Sequence, residues 1–478
     1  MLKGKTQIIL TDVNTGKQEV YEDKNLVTNA LDKIINIEMA MNHPLDSYML
    51  PIATRALGGL MLFDGTLTED PANIHFPAEA HLVGYAGQDV NTNDKFRGSY
   101  NAIESGRTDE GYVSVWDFGT GQANGTIKAV ARTSYHIGAN PFYYYIEAGV
   151  RTMNIGAPTT DQNWMPIRYD GEYLYMLKEN SSTHIMRLAR VKIPLLKLGV
   201  ADYSDLVRNY EIVATWNTHL TSYTYYNNQQ HTYTYTQEVY ADNQLMYEDG
   251  HDGYIYCIAY AGSRTYREGD YDLEYFTIKY SDGSYEKSET QRVNIGLPFY
   301  SESDISGKYW ARRTWGHVHE GILYQLASDR KRIYKIPLNL PTSFSTTRII
   351  ETDSNDYIRI FDAIAPRNGG VYFEVYHYTS TGYNYRNGIL YPDGYFVLPE
   401  VSIGGTYANH GNSNDYMDAR TCDDDLTMWG DYRYSTDIYA NIGHMANYLG
   451  TINNLASAIT KTAAQTMKIV YTLTDEEE

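Results

Sequence analysis

The chain has 478 residues, with 59 acidic against 39 basic side chains and a formal net charge of −20. That balance argues against a phosphate-tracking nucleic-acid binder, which needs clustered Lys and Arg to displace counterions. The length exceeds one ordinary core, and a hydrophobic content of 42% argues for folded domains or a repeat architecture rather than disorder.

Tyrosine is the compositional outlier, at 48 residues against 11 Phe and 6 Trp. Its flat apolar ring and hydroxyl suit half-exposed strands and surfaces that touch glycan or protein, and a large antiparallel β-protein accounts for most of the excess. No stretch approaches the ~20 apolar residues of a membrane span, so membrane insertion is not expected. The opening MLKGKTQIIL has too short an apolar run for a signal peptide, so synthesis in a reducing cytoplasm is expected. The two cysteines, Cys257 and Cys422, stand far apart and predict buried thiols rather than a disulfide framework.

Alternation over Thr6–Val13, a turn at Asn14–Gly16 and a return over Gln18–Glu22 predict a hairpin. Leu31, Ile34, Ile35 and Met39 then share one stripe of a helix predicted over Ala30–Met41, with Thr28 or Asn29 as its N-cap. Residues 44–110 are rich in Gly, Asn, Asp and Pro, and such a long irregular region is expected to contact something else, with partner subunits the natural guess. The stretch from Val115 to Thr133 places the turn GTGQANG between an aromatic strand and the alternating strand Thr126–Thr133, which predicts a second hairpin. At the far end, Met467, Ile469, Tyr471 and Leu473 share one face of a closing strand.

The middle of the chain repeats a phrase. Asp170-Gly-Glu-Tyr, Asp252-Gly-Tyr-Ile, Glu320-Gly-Ile-Leu and Gly369-Gly-Val-Tyr each read as a tight turn opening an apolar-aromatic strand, with a second strand after it. Asp424–Trp429 is a degenerate fifth copy. A turn-plus-strand pair recurring at roughly 50 to 80 residues predicts β-propeller blades, with a β-sandwich or β-helix as the rival.

The polar loop Asn227–Gln230 separates two Tyr/Thr strands that carry Tyr223, Tyr225, Tyr226, Tyr233 and Tyr235. Rings beside hydroxyls and amides can stack on sugars, so these five are the candidate glycan- or receptor-contacting residues, against a plain solvent-facing hairpin. His317 and His319 fall on one face of a strand before Glu320; without a third ligand the pair reads as structural rather than as a metal site. Ser303–Trp310 departs from the Asp-box of sialidase propellers in spacing and in Tyr309, and reads as a turn; Cys422–Asp425 reads as a solvated turn. No Walker loop, H-E-x-x-H, G-x-S-x-G or paired-cysteine zinc spacing occurs, so no catalytic residue, metal or cofactor is assigned.

Five phrases carry a resemblance: VTNA (Val27–Ala30), GGLMLFDGTL (Gly58–Leu67), RGSYNAIESG (Arg97–Gly106), VWDFGTGQANGTI (Val115–Ile127) and NNLASAITKTAAQTMKIVYTLT (Asn453–Thr474). Together they resemble tail proteins of phages and prophages of Gram-positive bacteria, over about the first 155 and the last 30 residues. The resemblance implies that the closing strand joins the N-terminal module. The expected fold is therefore mostly β: a terminal β-module with one helix, built from 1–155 and 446–478, and a Tyr-rich propeller-like domain over 156–445 inserted between them. It also implies a virion-tail location, with other tail or baseplate proteins as partners. The expected role is non-catalytic attachment to a host cell-surface glycan or protein by a homo-oligomer whose copies act together. A glycan depolymerase or cell-wall hydrolase on the same propeller, and a purely structural tail protein, are the alternatives.

Overall fold

The computed structural model describes residues 2–31, 56–90, 94–109, 111–138, 140–142, 144–145, 153–154, 164–170, 172–180, 185–192, 210–217, 246–261, 270–287, 291–294, 316–327, 329–351, 356–360, 369–379, 382–400, 417–421, 427–434 and 437–475. Strands dominate them. Helical pieces are single turns, as at Tyr135–Gly138 and Pro341–Ser343. Of the helix expected over Ala30–Met41, only Ala30 and Leu31 are described; they are helical, and the Ala30 N–H donates to Thr28 Oγ1 at 3.3 Å, as an N-cap would have it.

The chain first lays down β1 (Leu2–Asp12), β2 (Gln18–Val27), β3 (Gly59–Phe63), β4 (Leu82–Ala86), β5 (Ser99–Tyr100), β6 (Gly106–Thr108), β7 (Gly111–Phe118) and β8 (Gly125–Thr133). The short β9 (Tyr144–Tyr145) and β10 (Met153–Asn154) follow. A first meander comprises β11 (Trp164–Tyr169), β12 (Tyr173–Asn180), β13 (Ile185–Lys192) and β14 (Glu211–Asn217). The second has β15 (Met246–Asp249), β16 (Tyr254–Ala261), β17 (Asp270–Lys279) and β18 (Tyr285–Lys287), with β19 (Gln291–Asn294) also on β17. The third has β20 (Gly316–His319), β21 (Ile322–Leu326), β22 (Arg332–Pro337) and β23 (Ser345–Arg348). The fourth has β24 (Asp356–Ile360), β25 (Val371–Thr379), β26 (Gly382–Leu390) and β27 (Phe396–Val397). The chain closes with β28 (Met417–Thr421), β29 (Thr427–Tyr434), β30 (Asp437–Met445), β31 (Thr451–Lys461) and β32 (Gln465–Asp475).

The four meanders are the blades of a propeller-like arrangement. Each is antiparallel in chain order, and the repeated phrase sits where the sequence puts it, in the turn that opens the second strand. In the fourth copy Gly369 and Gly370 both have positive φ (99° and 93°), a conformation that costs glycine little. The first strands of neighbouring sheets lie side by side: β11 against β15, and β15 against β20. A further sheet runs β10–β30–β29–β28, with β9 also on β30, and its β28 lies beside β11. That sheet is assembled from both sides of the inserted region.

The terminal module is one ten-stranded sheet in the order β4–β3–β8–β31–β2–β1–β32–β7–β5, with β6 on β7. The two chain ends meet in it directly, β1 pairing with β32 from Leu2–Asp475 to Asp12–Gln465. The first hairpin forms as the alternation predicts, and Asp12 Oδ1 fixes its turn by accepting the N–H groups of Asn14 and Thr15. The sheet folds back on itself around a core that joins Ile8, Trp116, Phe118, Met467, Ile469 and Tyr471 to Leu60, Leu62, Ile127 and Val130. Met467, Ile469, Tyr471 and Leu473 do share the inward face.

The second hairpin does not form. β7 pairs with β32, β5 and β6, whereas β8 pairs with β3 and β31, so GTGQANG carries the chain from one half of the folded sheet to the other. Burial explains the difference: Trp116 and Phe118 on β7 and Ile127 and Val130 on β8 face one another across the core, where hairpin partners would lie side by side. The crossing is pinned by Lys461 of β31, whose ammonium donates to Gly119 O (2.8 Å) and Asn124 Oδ1 (2.9 Å). Burial pushes that ammonium down to about 8. Ala123 is buried beneath the crossing with φ 49°.

Arg132 of β8 holds the halves together. Its guanidinium lies between the Trp116 ring (4.4 Å) and the Tyr471 ring (4.2 Å), while Nε donates to Gly59 O at 3.0 Å. One buried side chain thereby ties β3, β7, β8 and β32. Full burial pushes the guanidinium down to about 10. The cation survives there because two ring faces and a carbonyl replace its water.

The module and the propeller share a second core. Phe76 meets Phe63 at 5.7 Å, Phe142 at 5.6 Å and Tyr391 of the fourth blade at 6.2 Å. Tyr372, Ile389 and Val397 of that blade pack into the same cluster as Met61, Leu82 and Tyr85. Asn447 Nδ2 donates to Tyr372 Oη (2.9 Å), and the Leu82 N–H donates to Tyr391 Oη (2.9 Å). The described part of 44–110 therefore has a partner within the chain, namely the fourth blade.

Replacing Arg132 with Lys is expected to lower stability by about 2 kcal/mol, since a point-charge ammonium keeps neither the double stack nor the Nε bond to Gly59. Denaturant midpoints followed by tryptophan fluorescence measure it. A second expectation concerns alkali. Burial raises the phenols of Tyr85, Tyr324, Tyr372, Tyr391 and Tyr471 above their ordinary value of 10. A raised folded value gives stability that is complete below pH 10 and is lost as pH rises beyond it, because the unfolded chain then releases protons that the folded one keeps. Arg132 and Lys461 have the opposite sign, and these five tyrosines outnumber them. Tyrosinate absorbance from buried rings and loss of circular dichroism should therefore appear together in one alkaline transition.

Candidate functional site on the inner strands

Tyr223, Tyr225, Tyr226, Tyr233 and Tyr235 lie outside the described residues, as do Ser303–Trp310 and Cys422–Asp425. Among the described residues, an ionisable cluster of the propeller sits where the first strands of the first three blades adjoin. β11 supplies Arg168, the end of β15 supplies Asp249, the turn after it supplies His251, and β20 supplies His317 and His319. All are buried or nearly so.

The geometry starts from Asp249. Its Oδ1 accepts the His251 N–H (3.1 Å), which holds His251 at φ 58°, and the same oxygen lies 3.6 Å from Arg168 Nη1. A carboxylate exposed to only 5% at its side chain requires such partners, because an unpaired buried charge costs several kcal/mol. The Arg168 guanidinium lies over the Tyr280 ring at 4.8 Å. The His251 ring stands 5.6 Å from His317 and stacks on His319 at 5.7 Å with an interplanar angle of 24°. The backbone locks the same junction, the Glu320 N–H donating to Gly250 O at 2.8 Å.

The histidine pair read from sequence is thus joined by a third imidazole from the neighbouring blade. His251 stacks on His319 and lies tilted by 50° against His317. Among the described residues, no group of three or more His, Cys, Asp or Glu is placed to hold a metal ion. Sequence reasoning missed Arg168, Asp249 and His251. The last two flank Gly250, directly before the Asp252-Gly turn of the repeat, so their position in the blade was readable although their convergence with β20 was not.

Chemically, the cluster holds one ion pair and three imidazoles, side chains that can donate and accept hydrogen bonds, buried where three blades adjoin. Hydrolysis of a glycosidic bond needs two carboxyls at roughly 5 to 9 Å. This cluster supplies one, Asp249.

The repeat tyrosines show why the residue is so abundant. Tyr256 Oη donates to Asp252 Oδ2 in its own turn at 2.7 Å, while Tyr324 hydrogen-bonds the Gly370 backbone in the next blade's turn. Tyr324, Tyr334, Tyr372 and Tyr391 are fully buried, so in the described blades many rings fill the core.

No family model matches the chain, and no curated protein matches it in sequence. Among solved structures it is similar to a glycosyl hydrolase from Bacteroides ovatus, at 10% identity over 65% of this chain and 92% of that one, with a TM-score of 0.27. It is also similar to the β-propeller domain of the Trilobed protease from Pyrococcus furiosus, at 9% identity over 73% of this chain and 82% of that one (TM-score 0.24). A third is the catalytic domain of the Coprinopsis cinerea GH62 α-L-arabinofuranosidase, at 10% identity over 68% and 97% (TM-score 0.28). Superpositions this loose bear on neither activity nor substrate.

Proposed function

We propose that this chain is a tail-associated attachment protein of a phage-type particle. Its terminal module binds other tail or baseplate proteins, and its propeller engages a host cell-surface glycan or protein. The observation that carries the reading is the way the propeller is held. Both chain ends close one sheet around the insertion, and the fourth blade shares a core with that sheet through Phe76 and Tyr391. A recognition domain fixed in orientation lets several copies meet one surface together, and such avidity multiplies weak contacts by orders of magnitude. The resemblance of the terminal phrases to tail proteins supports the anchoring half of the proposal.

A second reading, a glycan-cleaving enzyme on the same propeller, is favoured by one observation: Arg168, Asp249 and the histidines gather on the inner strands, where an aromatic-walled ligand site would want polar groups. One experiment separates the two. Purified protein is incubated with isolated cell walls of several Gram-positive hosts, and bound protein and released reducing sugar are assayed in the same tube. Saturable binding without sugar release is expected. Sugar release that Asp249→Asn abolishes, with the fold checked by circular dichroism, would establish the enzyme instead. Failure of both across all hosts would favour a purely structural tail protein.

A further inference from the structure

A second ionisable cluster lies away from the inner strands, at the seam between the terminal module and the fourth blade. His81 immediately precedes β4. Its Nδ1 is 2.9 Å from Asp64 Oδ2, and its Nε2 is 2.9 Å from Asp393 Oδ2, which belongs to the turn between β26 and β27. Asp64 Oδ1 also accepts the His81 N–H at 2.8 Å, and Asp393 Oδ1 accepts the Tyr395 N–H at 2.9 Å, so both carboxylates are held in place. The imidazole lies against Tyr395 at 4.2 Å with the rings tilted by 35°, and meets the Tyr391 ring edge-on at 4.8 Å.

Protonation decides whether this bridge holds. A neutral imidazole has one N–H and one lone pair, so one of its two contacts would set a lone pair against a carboxylate oxygen. Only the imidazolium donates to both. Burial raises the phenols of Tyr391 and Tyr395, and the ammonium of Lys335 in β22 donates to the Pro392 carbonyl.

We propose that Asp64, His81 and Asp393 form a proton-operated latch between the terminal module and the fourth blade, closed while the imidazole is charged and released when it is neutral. The rest of the seam, namely the Phe76 cluster, the Tyr391 hydroxyl on Leu82 and Asp94 Oδ2 accepting the Glu400 N–H at 3.1 Å, stays in place. Release therefore frees the β26–β27 turn rather than the whole blade. The side chains of His81, Asp64 and Asp393 are 23%, 39% and 57% exposed, so solvent screening keeps the effect modest.

Hydrogen–deuterium exchange on the full chain tests the proposal between about pH 5 and pH 8, the range in which imidazoles change charge. After correction for intrinsic exchange rates, amides of 391–397 and 81–86 should lose about three- to tenfold protection across that range, as expected for a charge-assisted bond at a half-exposed site. Amides of 467–473, deep in the terminal module, should not change. In His81→Gln the pH response of both seam peptides should vanish, and in Asp393→Asn that of 391–397 should. Asp393 lies in an exposed turn, so its variant is expected to fold even if His81→Gln does not. A wild-type chain with equal protection at both pH values would overturn the latch, as would an Asp393→Asn variant that keeps the wild-type response.

Discussion

Everything in this molecule rests on the pairing of its two ends. β1 and β32 are joined along eleven register positions, from Leu2–Asp475 to Asp12–Gln465. Closing a loop of this length costs little more entropy than closing a short one, because the penalty grows only with the logarithm of loop length. The contacts that repay it are concentrated: Ile8, Ile469, Tyr471 and Trp116 in one core, and Arg132 clasped between two of those rings. Once the sheet is closed, the region between β8 and β31 must begin and end at one place. Architectures whose ends coincide, such as propellers, meet that condition without strain.

Tyrosine serves both parts by one physical property. A buried phenol calls for an acceptor or donor for its hydroxyl, so a ring that fills a core can also make a directed bond. In the blades that bond reaches a turn, as with Tyr256 on Asp252 and Tyr324 on Gly370. At the seam it reaches across the two parts, as with Tyr372 and Asn447 or Tyr391 and Leu82. Phenylalanine would fill the same volumes and leave these partners unsatisfied.

The sequence made local order legible and long-range pairing much less so. The first hairpin, the inward face of β32 and the acidic-glycine turns that open the blades follow from alternation and turn chemistry, which act within a few residues. The hairpin predicted around GTGQANG failed because a turn signal fixes a reversal of direction but not whether the next strand pairs with the last or crosses to the facing sheet. Burial of Trp116 and Val130 and the ammonium of Lys461 decided that, and all three act across the core. The site was half legible for the same reason. His317 and His319 stand together in sequence, whereas Arg168, Asp249 and His251 join them only through the side-by-side placement of three blade strands. The candidate tyrosines between Tyr223 and Tyr235 lie outside the described residues, so the inner-strand cluster rests on different groups from those the composition drew attention to.

The sheet formed by β10, β30, β29 and β28 has a mechanical meaning of its own. The strands that lead into the propeller, β9 and β10, lie antiparallel against the strand that leads out of it, β30. Covalent continuity within the propeller is therefore not what keeps it attached. A protease cut in a blade loop would leave two fragments, one ending in β1 and the leading strands, the other in β30 and β32. Each would still be zipped to the other at two separate places. Such a nicked chain would run as two bands under denaturing conditions and as one intact body in solution.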